Sequence, residues 1–210
     1  MSTDIIQRSP EWFQIRLGKV TASRVADIVA RTKSGYSASR TNYAAQLVAE
    51  RLTGNVAESY TNAAMQWGTD MEPEARSMYE LMTNATVQEV GFVVHRAIPN
   101  AGASPDGLVG ESGLVEIKCP NTASHIETLL GRNVPAKYET QMQWQLACTG
   151  RMWCDFVSYD PRLPPHMQLF VHRLVRNESR IAELQNEVIE FLSEIDETVA
   201  KLNALYSEAA

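Results

Sequence analysis

Cysteine is scarce in this chain. There are three in 210 residues, Cys119, Cys148 and Cys154, and their spacing suits neither a disulfide framework nor a metal motif. An iron–sulfur cluster held by four cysteines is therefore excluded. His95, His125, His166 and His172 lack a Cys or His partner at zinc spacing. No run approaches the ~18 apolar residues that a membrane span needs. The N-terminal Met-Ser-Thr-Asp-Ile-Ile-Gln lacks the basic-then-apolar layout of a signal peptide. No membrane partner is expected, and the cytoplasm is the expected compartment. Internal repeats, low-complexity tracts and obvious linkers are also missing. Residues 1–210 are therefore expected to form one domain with a sizeable core.

An overall excess of positive charge is lacking too. The formal net charge is −6, which by itself argues weakly against a nucleic-acid partner. Its distribution argues the other way. Residues 1–51 hold eight Lys/Arg against four Asp/Glu, whereas residues 52–210 hold eleven against twenty-one. The basic excess sits in one short stretch, where it can form a local anion site.

What is present reads as alternating helices and strands. Ser9-Pro10-Glu11 is a helix start, with Ser as N-cap and Pro at the first helical position; Trp12, Phe13, Ile15 and Leu17 follow, and Gly18 ends the helix. Thr21 caps an expected helix over Ala22–Ala30, and residues 31–37 read as an exposed basic loop. Helices are expected over Thr41–Leu52 and Asn62–Met82, the second with Met65, Met71, Ala75, Met78 and Leu81 inward and a break or kink at Pro73. Val87–His95 reads as one strand. Leu108-Val109 and Leu114–Lys118 read as a hairpin, Ala136–Thr149 as a helix, and Trp153–Tyr159 and Met167–Val175 as strands. In a last helix, Glu178–Leu205, the apolar residues Ile181, Leu184, Val188, Phe191, Ile195, Val199 and Leu202 recur every three or four positions. That stripe packs residues 177–206 onto the rest. The fold class implied is α/β (mixed α+β), a central mixed sheet flanked by helices.

Chemistry concentrates in residues 102–120. Ser104-Pro105-Asp106-Gly107 places an acid at a turn. Glu116 and Lys118, two apart on an apolar strand, share one face, while Val115 and Ile117 take the other. Carboxylate oxygens are the ligands preferred by hard divalent ions such as Mg2+, and a lysine beside them can orient water or stabilise developing charge. Singly, each piece has a bland reading: an ordinary type I turn, or a solvated cross-strand ion pair. Together, on a strand otherwise apolar, they are far more specific. Glu72 and Glu74 point to different faces of their helix, so only one of them can add a further carboxylate. Tyr138, Gln141 and Gln145, at i, i+3 and i+7, form a polar stripe on an apolar helix.

Ser-Pro-Asp-Gly followed by Leu-Val-Glu-Ile-Lys-Cys-Pro resembles the core motif of the PD-(D/E)XK nuclease superfamily. Trp12…Ile15-Arg-Leu-Gly-Lys-Val-Thr-Ala-Ser23, Trp67-Gly…Glu72…Ala75-Arg76, Tyr138-x-x-Gln-x-Gln143 and Tyr159-Asp-Pro-Arg162 are similar to its phage lambda exonuclease, or YqaJ-type viral recombinase, branch. The matching blocks run through nearly the whole chain in the right order. The resemblance implies a restriction-endonuclease-like core and a toroidal homotrimer that degrades one strand of linear double-stranded DNA processively, 5′→3′. It would release 5′-mononucleotides and pass the 3′ overhang to a phage single-strand annealing protein. The setting implied is a bacterial host cell, with a phage or prophage source.

By the same resemblance, Asp106, Glu116 and the Ile117 carbonyl hold metal, Glu72 serves a second ion, and Lys118 is the catalytic lysine. Two Mg2+ ions roughly 4 Å apart are implied, with Mn2+ as a possible substitute. Arg16, Ser23 and Ser104 match a 5′-phosphate pocket. Tyr138, Gln141 and Gln143 fall on the helix beside the active site. Lys33 stands where the better-known member carries a DNA-entering arginine, and a flexible lysine is a poorer wedge than a planar guanidinium. The N-terminus is also shorter before Trp12. The alternatives are an endonuclease of the same superfamily and a non-catalytic DNA-end-binding module.

Overall fold

The computed structural model of the chain describes residues 5–57 and 62–206. Its first helix, α1 (Pro10–Arg16), begins where Ser9 accepts the Trp12 N–H. A short strand, β1 (Val20–Thr21), follows. The expected helix over Ala22–Ala30 divides into a 3-10 turn, Ala22–Arg24, and α2 (Val25–Val29), and the Thr21 side chain makes no cap hydrogen bond. The basic loop is a small hairpin, β2 (Arg31–Thr32) and β3 (Gly35–Tyr36). α3 (Ala38–Thr53) starts three residues earlier than expected and stops at Gly54, whose φ of 67° is the left-handed C-cap conformation.

α4 (Ala63–Thr83) begins with the Asn62 side chain accepting the Met65 N–H. It runs unbroken through Pro73, so the expected division does not occur. Of its proposed inward residues, Ala75 is buried and Met71 and Met78 pack against a core cluster, but Met65 and Leu81 are exposed.

The segment expected as one strand, Val87–His95, is two: β4 (Val87–Gln88) and β5 (Val93–Val94). They belong to different sheets, with Val90-Gly91-Phe92 crossing between them. A Cβ on Gly91 would sit 2.3 Å from the Ile5 carbonyl oxygen, so the crossing depends on glycine. β6 (Ala101–Ala103), β7 (Gly107–Val109) and β8 (Gly113–Lys118) follow. The β7–β8 hairpin turns at Gly110, with φ 53°. α5 (Thr122–Gly131) has no counterpart in the sequence reading, although Asn121 caps it by accepting the Ser124 N–H. α6 (Ala136–Thr149), β9 (Trp153–Tyr159), β10 (Leu169–Val175) and α7 (Glu178–Tyr206) complete the order.

The larger sheet has the order β10-β9-β8-β7-β4, with β8 and β9 parallel and the other pairs antiparallel. The smaller has the order β1-β6-β5, with β1 parallel to β6. α4 covers one face of the larger sheet, where Ala75 and Tyr79 meet Val115, Ile117 and Val157. α6 covers the other, where Met142 and Leu146 meet Leu114 and Phe156. α2, α3, α6 and α7 enclose a third cluster with the smaller sheet, and four of the seven stripe residues of α7 (Leu184, Val188, Phe191 and Ile195) are buried in it. The mixed-sheet architecture is the one expected. Two short loops lead directly from a strand of one sheet to a strand of the other, through Val90-Gly91-Phe92 and Ser104-Pro105-Asp106.

Candidate active site

The Ser104–Asp106 crossing is pinned from outside, since the Gln7 amide donates to the Pro105 and Val90 carbonyls at 2.9 and 2.8 Å. The last β7–β8 pair is Gly107 with Val115, so Glu116–Lys118 extend beyond the partner strand. Asp106 takes up the ladder there, its Oδ2 accepting the Ile117 N–H at 2.6 Å. The N–H and C=O of one strand residue point to the same side, so the Ile117 carbonyl leaves β8 on the Asp106 edge.

Glu116 lies on the opposite face from Val115 and Ile117, toward α6, and is fully buried. Its Oε1 accepts the Gln141 amide at 2.6 Å and pairs with the Lys118 ammonium. Its Oε2 accepts the Gln145 amide at 2.5 Å. Tyr138, one turn earlier on α6, stacks on Phe156, and the Lys118 Nζ lies 5.3 Å from its ring centre. The stripe Tyr138–Gln141–Gln145 therefore faces the carboxylate and lysine as one surface.

Burial, with the charge of Glu116 and a smaller contribution from Glu72, pushes the Asp106 carboxyl well above its ordinary range; Lys118 and the Ile117 N–H oppose this. Burial works against a charged Lys118, but Glu116 and Asp106 outweigh it and raise the lysine, which stays an ammonium. Burial, then Glu72 and Asp106, push the neighbouring Cys119 thiol up to about 12. Crowded anions raise each other's pKa, and an added cation relieves them.

Glu72, on α4, accepts from Arg8 at 2.6 Å and from Arg76 at 3.0 Å. It shares a cleft of roughly 140 Å3 with Asp106, Gln7, Arg8, Arg76 and Glu89. Glu74 faces elsewhere and accepts the Tyr159 hydroxyl at 2.7 Å. A larger hollow of about 400 Å3, between Val29 and the Arg180–Glu190 face of α7, contains none of these groups, so the candidate site is the smaller cleft with the β8 edge beside it.

Among the described residues, no three His, Cys, Asp or Glu side chains stand close enough together to grip a metal as they are. The donor chemistry nevertheless suits a hard divalent ion. Asp106 and Glu116 repel each other across the β8 edge, and a backbone carbonyl adjoins them. Glu72 would first have to give up an arginine.

Ser104 connects this centre to a second one. Its Oγ accepts the Trp12 indole N–H at 2.9 Å, and the Arg16 guanidinium lies 3.6 Å from the Trp12 ring centre. Arg16 has no carboxylate partner among the described residues, and burial lowers its pKa to about 10. A partly desolvated guanidinium with no direct carboxylate partner is an anion receptor in waiting. Parallel pairing of Thr21 with Gly102 sends Ser23 and Ser104 off the same end of β1 and β6. Ser23 is exposed on the 3-10 turn.

Two expected residues lie apart from the centre. Gln143 faces away from Glu116, donating to the Val175 carbonyl and accepting the Asn177 N–H. Two residues from both Gln141 and Gln145, it is rotated about 200° off the stripe, and its amide ties the end of β10 to the start of α7. Lys33 is exposed at the tip of the β2–β3 hairpin, which is held against α7 by Arg31 and Tyr36 on Glu187. Gln145, part of the polar stripe but outside the resemblance motif, holds half of Glu116. Arg8 carried no sequence signal at all.

Residues 11–152 match the YqaJ-like viral recombinase domain. A crystal structure of an alkaline exonuclease from Laribacter hongkongensis is 52% identical, with TM-score 0.90, covering 96% of this chain and 100% of that one. The same exonuclease in complex with dAMP gives 52% identity, TM-score 0.91 and the same coverage. A phage-related exonuclease from Haemophilus somnus 129PT is 15% identical with TM-score 0.72, over 88% of this chain and 96% of that one, and shares the fold. No curated protein matches significantly.

Proposed function

This chain belongs to the YqaJ-like viral recombinase family, and from that premise we propose that it is a Mg2+-dependent exonuclease acting on ends of linear double-stranded DNA. It removes the 5′-ended strand processively in the 5′→3′ direction and releases 5′-mononucleotides. The 3′ overhang goes to a phage-type single-strand annealing protein. The proposal includes one nuclease domain with α7 packed on it, a homotrimeric ring, and action in the cytoplasm of a bacterial host. The observation that carries it is the β8 edge, where Asp106 caps the strand and Glu116 and Lys118 emerge beside it. The 52% identity to an alkaline exonuclease, and that enzyme's complex with dAMP, support the reaction and its mononucleotide product.

Asp106, Glu116, the Ile117 carbonyl and Glu72 would hold the metal, which supplies Lewis-acid activation of water and of the leaving oxygen when bound; Mn2+ is an expected substitute. Lys118, charged and steered by Glu116, orients the attacking water and offers positive charge to the phosphate. Gln141 and Gln145 fix Glu116, and Tyr138 packs beside the ammonium. Arg16, aligned on Trp12 next to Ser104, takes the 5′-phosphate in bidentate fashion, with Ser23 and Ser104 as hydroxyl donors. A phosphate receptor beyond the scissile bond draws the strand forward after each cut.

The test is digestion of a linear duplex labelled differently at its 5′ and 3′ ends, with Mg2+ and with EDTA. Early, metal-dependent release of the 5′ label with circular DNA untouched is expected, and Lys118→Ala should bind the duplex without cutting it. Cutting of closed circles would point to an endonuclease. Binding without cleavage under any divalent metal would make the chain an end-binding module.

A further inference from the structure

One arginine at the edge of the cleft is in an unusual state. Arg8 has φ 69°, a left-handed conformation that a residue with a side chain rarely adopts. Flanking contacts impose it. Gln7 is tied to Val90 and Pro105, and Ser9 is the N-cap of α1. Glycine would satisfy the same backbone without strain, so the guanidinium is what the strain retains. Such outliers concentrate where function requires them.

The side chain is half exposed, and its one described partner is Glu72, through a single N–H at 2.6 Å. Most of its fork of donors is left for the cleft that contains Asp106. Arg76 differs, because Glu72 and Glu89 both engage it and it is largely buried. Glu72 would have to release an arginine to serve a metal, and Arg8 is the one with no second partner among the described residues.

We propose that Arg8 binds a backbone phosphate of the DNA strand entering the cleft, exchanging Glu72 for that phosphate as the substrate seats. The inference rests on the reading of the chain as a DNA exonuclease and adds a phosphate contact distinct from the Arg16 pocket.

The experiment measures binding of the full chain, with Ca2+ replacing Mg2+, to end-labelled duplexes in which single phosphates near the 5′ end are replaced in turn by neutral methylphosphonates. Native protein, Arg8→Gly and, as a surface control, Arg180→Gly are compared. Arg8→Gly relaxes the backbone, so its Tm should not fall. It should flatten the salt dependence by one contact, a slope of about 0.9 in log K against log[salt]. Between 50 and 200 mM salt the native protein should then lose about 3.5-fold more affinity than the variant. At one position, the methylphosphonate penalty seen with native protein and with Arg180→Gly should vanish in Arg8→Gly. An unchanged penalty profile in Arg8→Gly, or an equal slope change in Arg180→Gly, overturns the assignment. Failure of native protein to bind duplex ends would instead refute the exonuclease reading.

Discussion

Replacing Gln145 by leucine tests how the buried carboxylate is held. Glu116 is fully buried, and the one described donor to its Oε2 is the Gln145 amide at 2.5 Å. Leucine fills similar space on α6 but leaves that oxygen without a partner. A hydrogen bond to a charged group contributes about 1.5–3 kcal/mol, and an orphaned buried acceptor puts the loss toward the upper end. For a domain of this size each kcal/mol moves Tm by about 2–4 °C, so a fall of about 5–12 °C is expected in EDTA. Gln141→Leu should cost less, because Oε1 keeps Lys118. Urea unfolding of native protein, Gln145→Leu, Glu116→Leu and the double variant closes the cycle. The expected coupling is about 1.5–3 kcal/mol. If Gln145→Leu costs as much in the Glu116→Leu background as in the native one, the amide is merely filling space and the reasoning fails.

Three further outcomes follow from other parts of the structure. The Asp106 carboxyl is held above its ordinary range, so its contribution is fully present below the unfolded value near 3.9 and is lost as pH rises through the folded one. Asp106→Asn keeps the acceptor for Ile117 and should raise Tm in EDTA at pH 8, with the gain shrinking toward pH 4; a lower Tm at pH 8 refutes it. His95 is held below its ordinary value by burial, and its Nδ1 accepts the Ala97 and Ile98 N–H groups. Its contribution is therefore present above about pH 6.5 and lost as pH falls through the folded value, so urea midpoints between pH 7 and 5 should fall less for His95→Gln than for native protein. A Cβ on Gly107 would meet Val87 Cγ1 at 2.1 Å. Gly107→Ala should cost about 1–3 kcal/mol, and adding Val87→Ala should recover part of it in thermal melts.

The elements most legible in the sequence were those whose pattern was local. The α7 stripe, the Ser9-Pro10 helix start and the Gly110–Gly113 hairpin turn all have short-range causes, and the structure reproduces them. The errors came from packing between distant segments. Val87–His95 has the composition of one strand, but the Ile5 backbone crosses against Gly91 and the chain passes from one sheet to the other there. Gly107, read as a turn residue, begins β7 and is small because Val87 crosses it. Pro73 lies within a continuous helix because α4 packs on the sheet on both sides of it, through Trp67 and Met71 before and Ala75 and Tyr79 after, and that contact outweighs the missing backbone hydrogen bond.

The same distinction orders the site. Period-two alternation was enough to put Glu116 and Lys118 on one face of β8, and helical spacing was enough to align Tyr138, Gln141 and Gln145. Motif matching alone selected Gln143 in place of Gln145, yet the helix turns 100° per residue and Gln143 is carried off the stripe to meet Val175 and Asn177. Periodicity is therefore the safer guide to which side chains share a surface, and a motif is the safer guide to which surface matters. Neither reaches Arg8. Its importance comes from a backbone conformation and from Glu72, 64 residues away, and a single sequence encodes neither in any local pattern. The acid expected on α4 is tied up by Arg8 and Arg76. A cation that recruits Glu72 must therefore break an ion pair already present, which couples metal occupancy of the cleft to the position of those two arginines.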